Sequence, residues 1–227
     1  MTEREWQKER MHAQLMLRSL RNTSVTRTKV GRRKLRLFGC GCCRLIWDHL
    51  QEHRLRLAIE LAESFSDGQA TKQELEATRS TVVAAAPSEI PVSNGPEAKE
   101  ATAAWMIAGL MRPEPLMAAF SMTIYALPLA GYCGNARKAY GLLCHLLRDI
   151  FGNPFRPVAF SPSWRTDTAI ALARTMYDSR EFSAMPILAD ALQDAGCDNT
   201  DVLSHCRDPK QTHVRGCWVV DLVLDKL

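Results

Sequence analysis

The sequence predicts an all-α protein, and three observations carry that reading. Apolar residues recur at helical spacing in almost every stretch between Gly and Pro punctuation, capping residues stand where several of those stretches begin, and no two segments alternate as paired strands would. The 227 residues are 46% hydrophobic and 24% charged, an ordinary globular balance that fits one large or two small domains. A chain of this length buries enough surface to fold without disulfides or metal.

The elements follow in order. Residues 4–20 place Trp6, Met11, Leu15 and Leu20 at helical spacing and predict a first amphipathic helix. From Lys34 to His53, Leu35, Phe38, Cys42, Leu45, Ile46 and Leu50 keep the rhythm of a buried face, interrupted only by the weak helix formers Gly39 and Gly41. Residues 54–66 continue with Leu55, Ile59, Ala62 and Phe65 up to the stop signal Asp67-Gly68. Thr71 and Glu74 have the spacing of a capping box, so a third helix starts there and ends before Pro87.

The segment 87–97, PSEIPVSNGPE, concentrates Pro, Ser, Asn and Gly and reads as the linker between an N-terminal helical part (1–86) and a C-terminal one (98–227) that pack together. Beyond it, helices are expected over 98–112, from Pro115 to about 127, and from the Asn135 cap to Gly152. Residues 153–163 hold three prolines and are expected to be irregular. Further helices are predicted over 166–178, from Pro186 to Gly196, after Asn199, and from about Arg215 through Leu227. Trp47, Trp164 and Trp218 are the expected large members of the core.

No run of about 18 apolar residues is present, because the most apolar stretch, 116–131, is broken by Pro128 and Gly131. The opening MTEREWQKERMHAQ has no apolar signal core, so a cytoplasmic location without membrane contact is expected. In that compartment the eight cysteines stay reduced. Charge is uneven: residues 1–56 hold 14 Lys and Arg against 5 Asp and Glu, while 57–227 hold 15 against 20. The densest basic run, Arg27, Lys29, Arg32, Arg33, Lys34 and Arg36, is the candidate nucleic-acid segment within 18–36, against the reading of a solvated lead-in.

Phosphate-loop, nucleophile-elbow, zincin and EF-hand motifs are all absent. Gly39-Cys40-Gly41 starts a dinucleotide fingerprint, but Arg44 stands at the third glycine's place. Chemistry-bearing residues concentrate near the C-terminus, where Cys197, His205, Cys206, His213 and Cys217 fall within 21 residues. His213 and Cys217 can offer two zinc donors from a turn entering a helix, with Cys206 as a third and Cys197, Cys40 or Cys43 as a fourth. His205 and Cys206 are adjacent and diverge by about 100° on a helix, so one ion does not take both. A Cys nucleophile would need His205, His213 or His145 beside Cys206, Cys217 or Cys144. The competing expectation, and the favoured one, is that the thiols pack as small buried hydrophobes and His213 meets a carbonyl, carboxylate or water.

The phrases LRLFGCGCCRLIWDHL (35–50), LLRDIFGNPFRPV (146–158), MPILADALQDAGC (185–197) and HVRGCWVVDLVL (213–224) resemble an uncharacterised protein family numerous in planctomycete bacteria. The resemblance covers most of 1–65 and 142–227. It implies Ala at 39 and 41, where this chain has Gly, and a shorter basic stretch than 6–33. It implies no activity, cofactor or site residue. The functional expectation is therefore a non-enzymatic helical interaction module with a protein partner and no cofactor. Its alternatives are a nucleic-acid-binding protein using 18–36 and a zinc- or cysteine-dependent enzyme using the C-terminal cluster.

Overall fold

A computed structural model describes residues 1–88, 95–124 and 135–226. Among them are twelve α-helices and no strand, as the apolar periodicity predicts. No helix among the described residues is long and apolar enough to cross a membrane. The chain divides into two compact units, Glu3–Cys144 and the residues from His145 onward. Helices on either side of 87–97 pack on each other inside the first unit. That segment, of which 89–94 lie outside the described residues, is thus an internal connection, and the division falls within a later helix.

The N-terminal unit begins with two short helices, α1 (Glu3–Lys8) and α2 (Ala13–Arg21), where the apolar spacing predicts one. The break has a local cause: the Glu9 carboxylate accepts the backbone N–H groups of Arg10, Met11 and His12 at 2.8–2.9 Å, ending one helix and preceding the next. Helix α3 (Lys29–Arg44) starts earlier than its apolar pattern, because Thr28 caps it by accepting the Gly31 N–H at 2.9 Å. Gly39 and Gly41 lie in its buried interior, which rules out a strand-to-helix dinucleotide turn. A Cβ at Gly39 would lie 2.7 Å from Leu110, so the missing side chain is what admits that neighbour.

Around α3 pack α4 (His53–Ser66), α6 (Pro96–Leu110) and α7 (Pro115–Ile124), with α5 (Lys72–Ala85) on α4 and α6. The Thr71 and Glu74 capping box forms as the spacing predicts. Trp6 is fully buried, whereas Trp47 is half-buried with the Arg44 guanidinium 3.8 Å from its ring. The large aromatics buried in this unit are therefore Trp6 and Phe38.

Helix α8 (Ala136–Phe151) contains the division between units. Asn135 caps it by accepting the Lys138 N–H, and Gly152 ends it at a φ of 62°, a left-handed conformation that favours glycine. The C-terminal unit continues through α9 (Asp167–Ser179), α10 (Met185–Asp194), α11 (Thr200–Arg207) and α12 (Trp218–Val223). Its core joins Met176, Leu188, Leu192, Val202, Val219 and Trp218, while Trp164 is half-buried against it. Trp218 lies over Gly152, where a Cβ would meet the indole at 3.1 Å.

Candidate metal centre

Three backbone features bring one set of side chains together in the C-terminal unit. Asp149 occupies the last turn of α8, amid the buried Leu146, Leu147, Ile150 and Phe151. Asn199 caps α11 by accepting the N–H groups of Asp201 and Val202, and His205 follows in that helix's last turn. Gly216, at a φ of 96°, turns the chain so that His213 and Cys217 stand together just ahead of α12.

One donor atom from each of Asp149, His205, His213 and Cys217 lies within 4.8 Å of all the others. Asp149 Oδ1 is 2.8 Å from His213 Nδ1 and 3.2 Å from His205 Nε2. Cys217 Sγ is 3.3 Å from His205 Nε2 and 3.8 Å from His213 Nδ1. A tetrahedral zinc with ordinary bond lengths keeps such donors about 3.3–3.6 Å apart, so these separations bracket its edges. The second oxygen, Asp149 Oδ2, accepts the Val214 N–H at 2.9 Å, which fixes the carboxylate plane. The two imidazoles meet edge to face at 4.9 Å, and the His205 ring packs 5.2 Å from that of Trp218.

The group is enclosed: side-chain exposure is 0% for Asp149, 7% for His213 and 12% for His205, and Cys217 is fully buried. Burial raises the Asp149 carboxyl, but the hydrogen bonds from His205 and His213 outweigh it and hold the group below its usual value. The Cys217 thiol is pushed well above its usual value, first by burial and then by the Asp149 charge. A thiol so placed is a poor free nucleophile, because burial disfavours the thiolate. Proximity to a divalent cation changes that balance, since a cation stabilises both the carboxylate and the thiolate.

Of the residues singled out by sequence, His213 and Cys217 belong to this group, and Cys206 and Cys197 do not. Cys206 and Cys197 lie in the apolar core of the same unit, and burial pushes the Cys206 thiol up to about 12. The helical angle that separates adjacent residues operates here, with His205 facing the polar group and Cys206 the core. Cys40, Cys42 and Cys43 are buried in α3, and their thiols are raised well above the ordinary value by burial. Cys133 lies outside the described residues.

Sequence reasoning missed Asp149, and it set His205 aside as a zinc donor in favour of its neighbour. The available signal for Asp149 was a single acid in the apolar run LLRDIF, an expensive placement unless a partner meets it. For His205 it was the choice of which member of an adjacent His-Cys pair faces the His213 turn.

The basic run is dispersed. Arg36 is buried and donates to the carbonyls of Leu110, Arg112 and Pro113 at 2.8–3.1 Å, closing the end of α6. Arg33 pairs with Asp67 at 3.0 Å and Lys34 is buried, leaving Arg27, Lys29 and Arg32 on the surface. The structure thus defines an all-α protein with a buried two-His, one-Asp, one-Cys cluster. The chain matches no protein-family model, no curated protein and no solved structure.

Proposed function

We propose that the C-terminal unit is a zinc-held, non-enzymatic helical module, with Asp149, His205, His213 and Cys217 as the ligands. The observation that carries this reading is the convergence of four donors, from α8, α11 and the turn before α12, within 4.8 Å. Charge supports it: one carboxylate, one thiolate and two neutral imidazoles sum to −2, so a divalent ion makes the buried group neutral. A neutral cluster avoids the large cost of an uncompensated buried charge. The donor chemistry favours zinc or cobalt over calcium or magnesium, which take oxygen ligands. Four protein donors fill a tetrahedron and leave no position for a substrate, the arrangement of a structural centre. The ion then ties together segments that are far apart in sequence, and the outer surfaces of the helices are left for contact with a protein partner.

The test is metal analysis and cobalt(II) titration of the full chain. One ion per chain is expected, with a thiolate-to-cobalt charge-transfer band that disappears in Cys217→Ser and persists in Cys206→Ser. Melting is followed in parallel, because removing the ion should lower the transition of the metal-loaded protein, by about 2.7 kcal/mol where free metal had stood at 100 times Kd. A wild-type chain that takes up no cobalt or zinc, or a Cys217→Ser variant that binds as the wild type does, overturns the reading.

A further inference from the structure

The chain from Arg10 to Trp47 contains no Asp or Glu, and its cations meet two different fates. Arg33 and Arg44 reach Asp67 and Glu63, and Arg36 is taken up by backbone carbonyls. Arg18, Arg21, Arg27, Lys29 and Arg32 are exposed, and none pairs with a carboxylate among the described residues. Arg18 and Arg21 lie three apart on α2, and Lys29 and Arg32 three apart on α3, so each pair shares a helix face. Like charges at that spacing destabilise their own helix. The chain thus keeps several like charges exposed without pairing any of them to a carboxylate among the described residues.

Three of these residues, Arg21, Arg27 and Arg32, line a recess of about 610 Å³ together with Asn22, Thr26 and Glu114. The Arg32 guanidinium is held by donating to the Arg27 carbonyl. Recesses that hold small ligands run to about 300–1,000 Å³, so the space suits a compact molecule. Its lining residues include three arginines against one glutamate, with Asn22 and Thr26 beside them and Pro115 and Leu116 as the apolar members. Planar guanidinium forks match phosphate oxygens two at a time, and their charge survives at any physiological pH.

We infer that this recess is a binding site for a phosphate-bearing ligand, held by Arg21, Arg27 and Arg32. An oligophosphate group fits the recess and supplies the counter-charge that a single glutamate, Glu114, leaves short. Arg18 and Lys29 add to the surrounding positive field and speed the approach of an anion without touching it. The phosphates can come from a free phosphorylated small molecule or from a nucleic-acid backbone, and the site chemistry is the same for both.

Calorimetric titration of the full chain with inorganic triphosphate at low salt tests the site. The wild type should bind, and the triple variant Arg21→Ala/Arg27→Ala/Arg32→Ala should bind roughly tenfold or more weakly. Since all three side chains are exposed and two of them relieve a like-charge pair when removed, the variant should keep the wild-type circular dichroism and melt no lower than the wild type. Arg174→Ala, an exposed cation of the other unit, should bind as the wild type does. A gain-of-binding variant guards against loss for trivial reasons: Glu114→Gln removes the one carboxylate of the lining and should tighten triphosphate a few-fold.

Competition with a short single-stranded DNA then separates the sources. DNA that triphosphate displaces, and whose affinity falls steeply with salt, assigns the site to a nucleic-acid backbone. A failure of DNA to compete assigns it to a free phosphorylated molecule. No triphosphate binding at low salt, equal binding by the wild type and the triple variant, or weaker binding by Glu114→Gln overturns the inference.

Discussion

Ten residues from Arg27 to Arg36 hold six cations, and the fold scatters them to a carboxylate, to three carbonyls, to the core and to the surface. Four donors spread from Asp149 to Cys217, across 69 residues of sequence, come together within 4.8 Å. The contrast follows from helix geometry. Within one helix, neighbours in sequence are turned away from each other by about 100°, so a dense run is distributed around the barrel of the helix. Convergence requires side chains from different elements, each facing inward, and that depends on packing rather than on local spacing. Density along the chain therefore does not say which members of a run meet, and a polar residue on an apolar face is a further guide to a site.

The largest expected effect tests whether the C-terminal cluster and its core are one body. Trp218 packs both into the apolar cluster and against His205, so Trp218→Ala should cost about 3–5 kcal/mol and weaken the cobalt spectrum as well. Trp6→Ala removes a fully buried indole from the N-terminal unit and should destabilise comparably while the cobalt spectrum stays intact. Thermal melts and cobalt titrations of the two variants make the check. If Trp218→Ala leaves the melt unchanged, the core assignment falls.

A middle-sized effect separates the two fates of the basic run. Arg36→Met leaves the carbonyls of Leu110, Arg112 and Pro113 without their buried donor, at a cost of about 1–3 kcal/mol. Arg32→Ala, four residues away but exposed, should shift stability by no more than about 0.5 kcal/mol. Urea unfolding midpoints of both variants read the difference. Equal midpoints would show that Arg36 does no more for the fold than a solvated side chain.

The sequence was most readable where chemistry is local. The Thr71 and Glu74 capping box, the Asn135 and Asn199 caps and the Gly152 stop are encoded within four residues, and each forms. The break between α1 and α2 escaped, because the spacing of Trp6, Met11 and Leu15 is the same with or without Glu9 folding onto the backbone. So did the place of the division: the Pro-rich 87–97 segment has the composition of a linker, yet what decides is that α5 and α6 bury their faces on each other. Half of the four-donor group was visible as the His213 and Cys217 pair. Asp149 stayed hidden because its partners lie 56 and 64 residues away, a separation at which no spacing rule operates.

The smallest effect asks whether the ends of α11 are independent. Asn199 satisfies two backbone donors at the start of that helix, and Asn199→Ala should cost about 1 kcal/mol. His205, near the other end, is held by Asp149 and Cys217, so fraying of the first turn should leave metal uptake unchanged. Thr28→Ala on α3 is the matched change in the N-terminal unit and should cost a similar amount with no effect on cobalt. Melting of both variants with and without bound metal reads the comparison. If Asn199→Ala costs far less in the metal-loaded protein than after chelation, α11 is being organised from its His205 end, and the ion rather than the cap sets that helix in place. Equal costs in the two states would instead mean that α11 folds on its own caps and presents His205 to the ion already oriented.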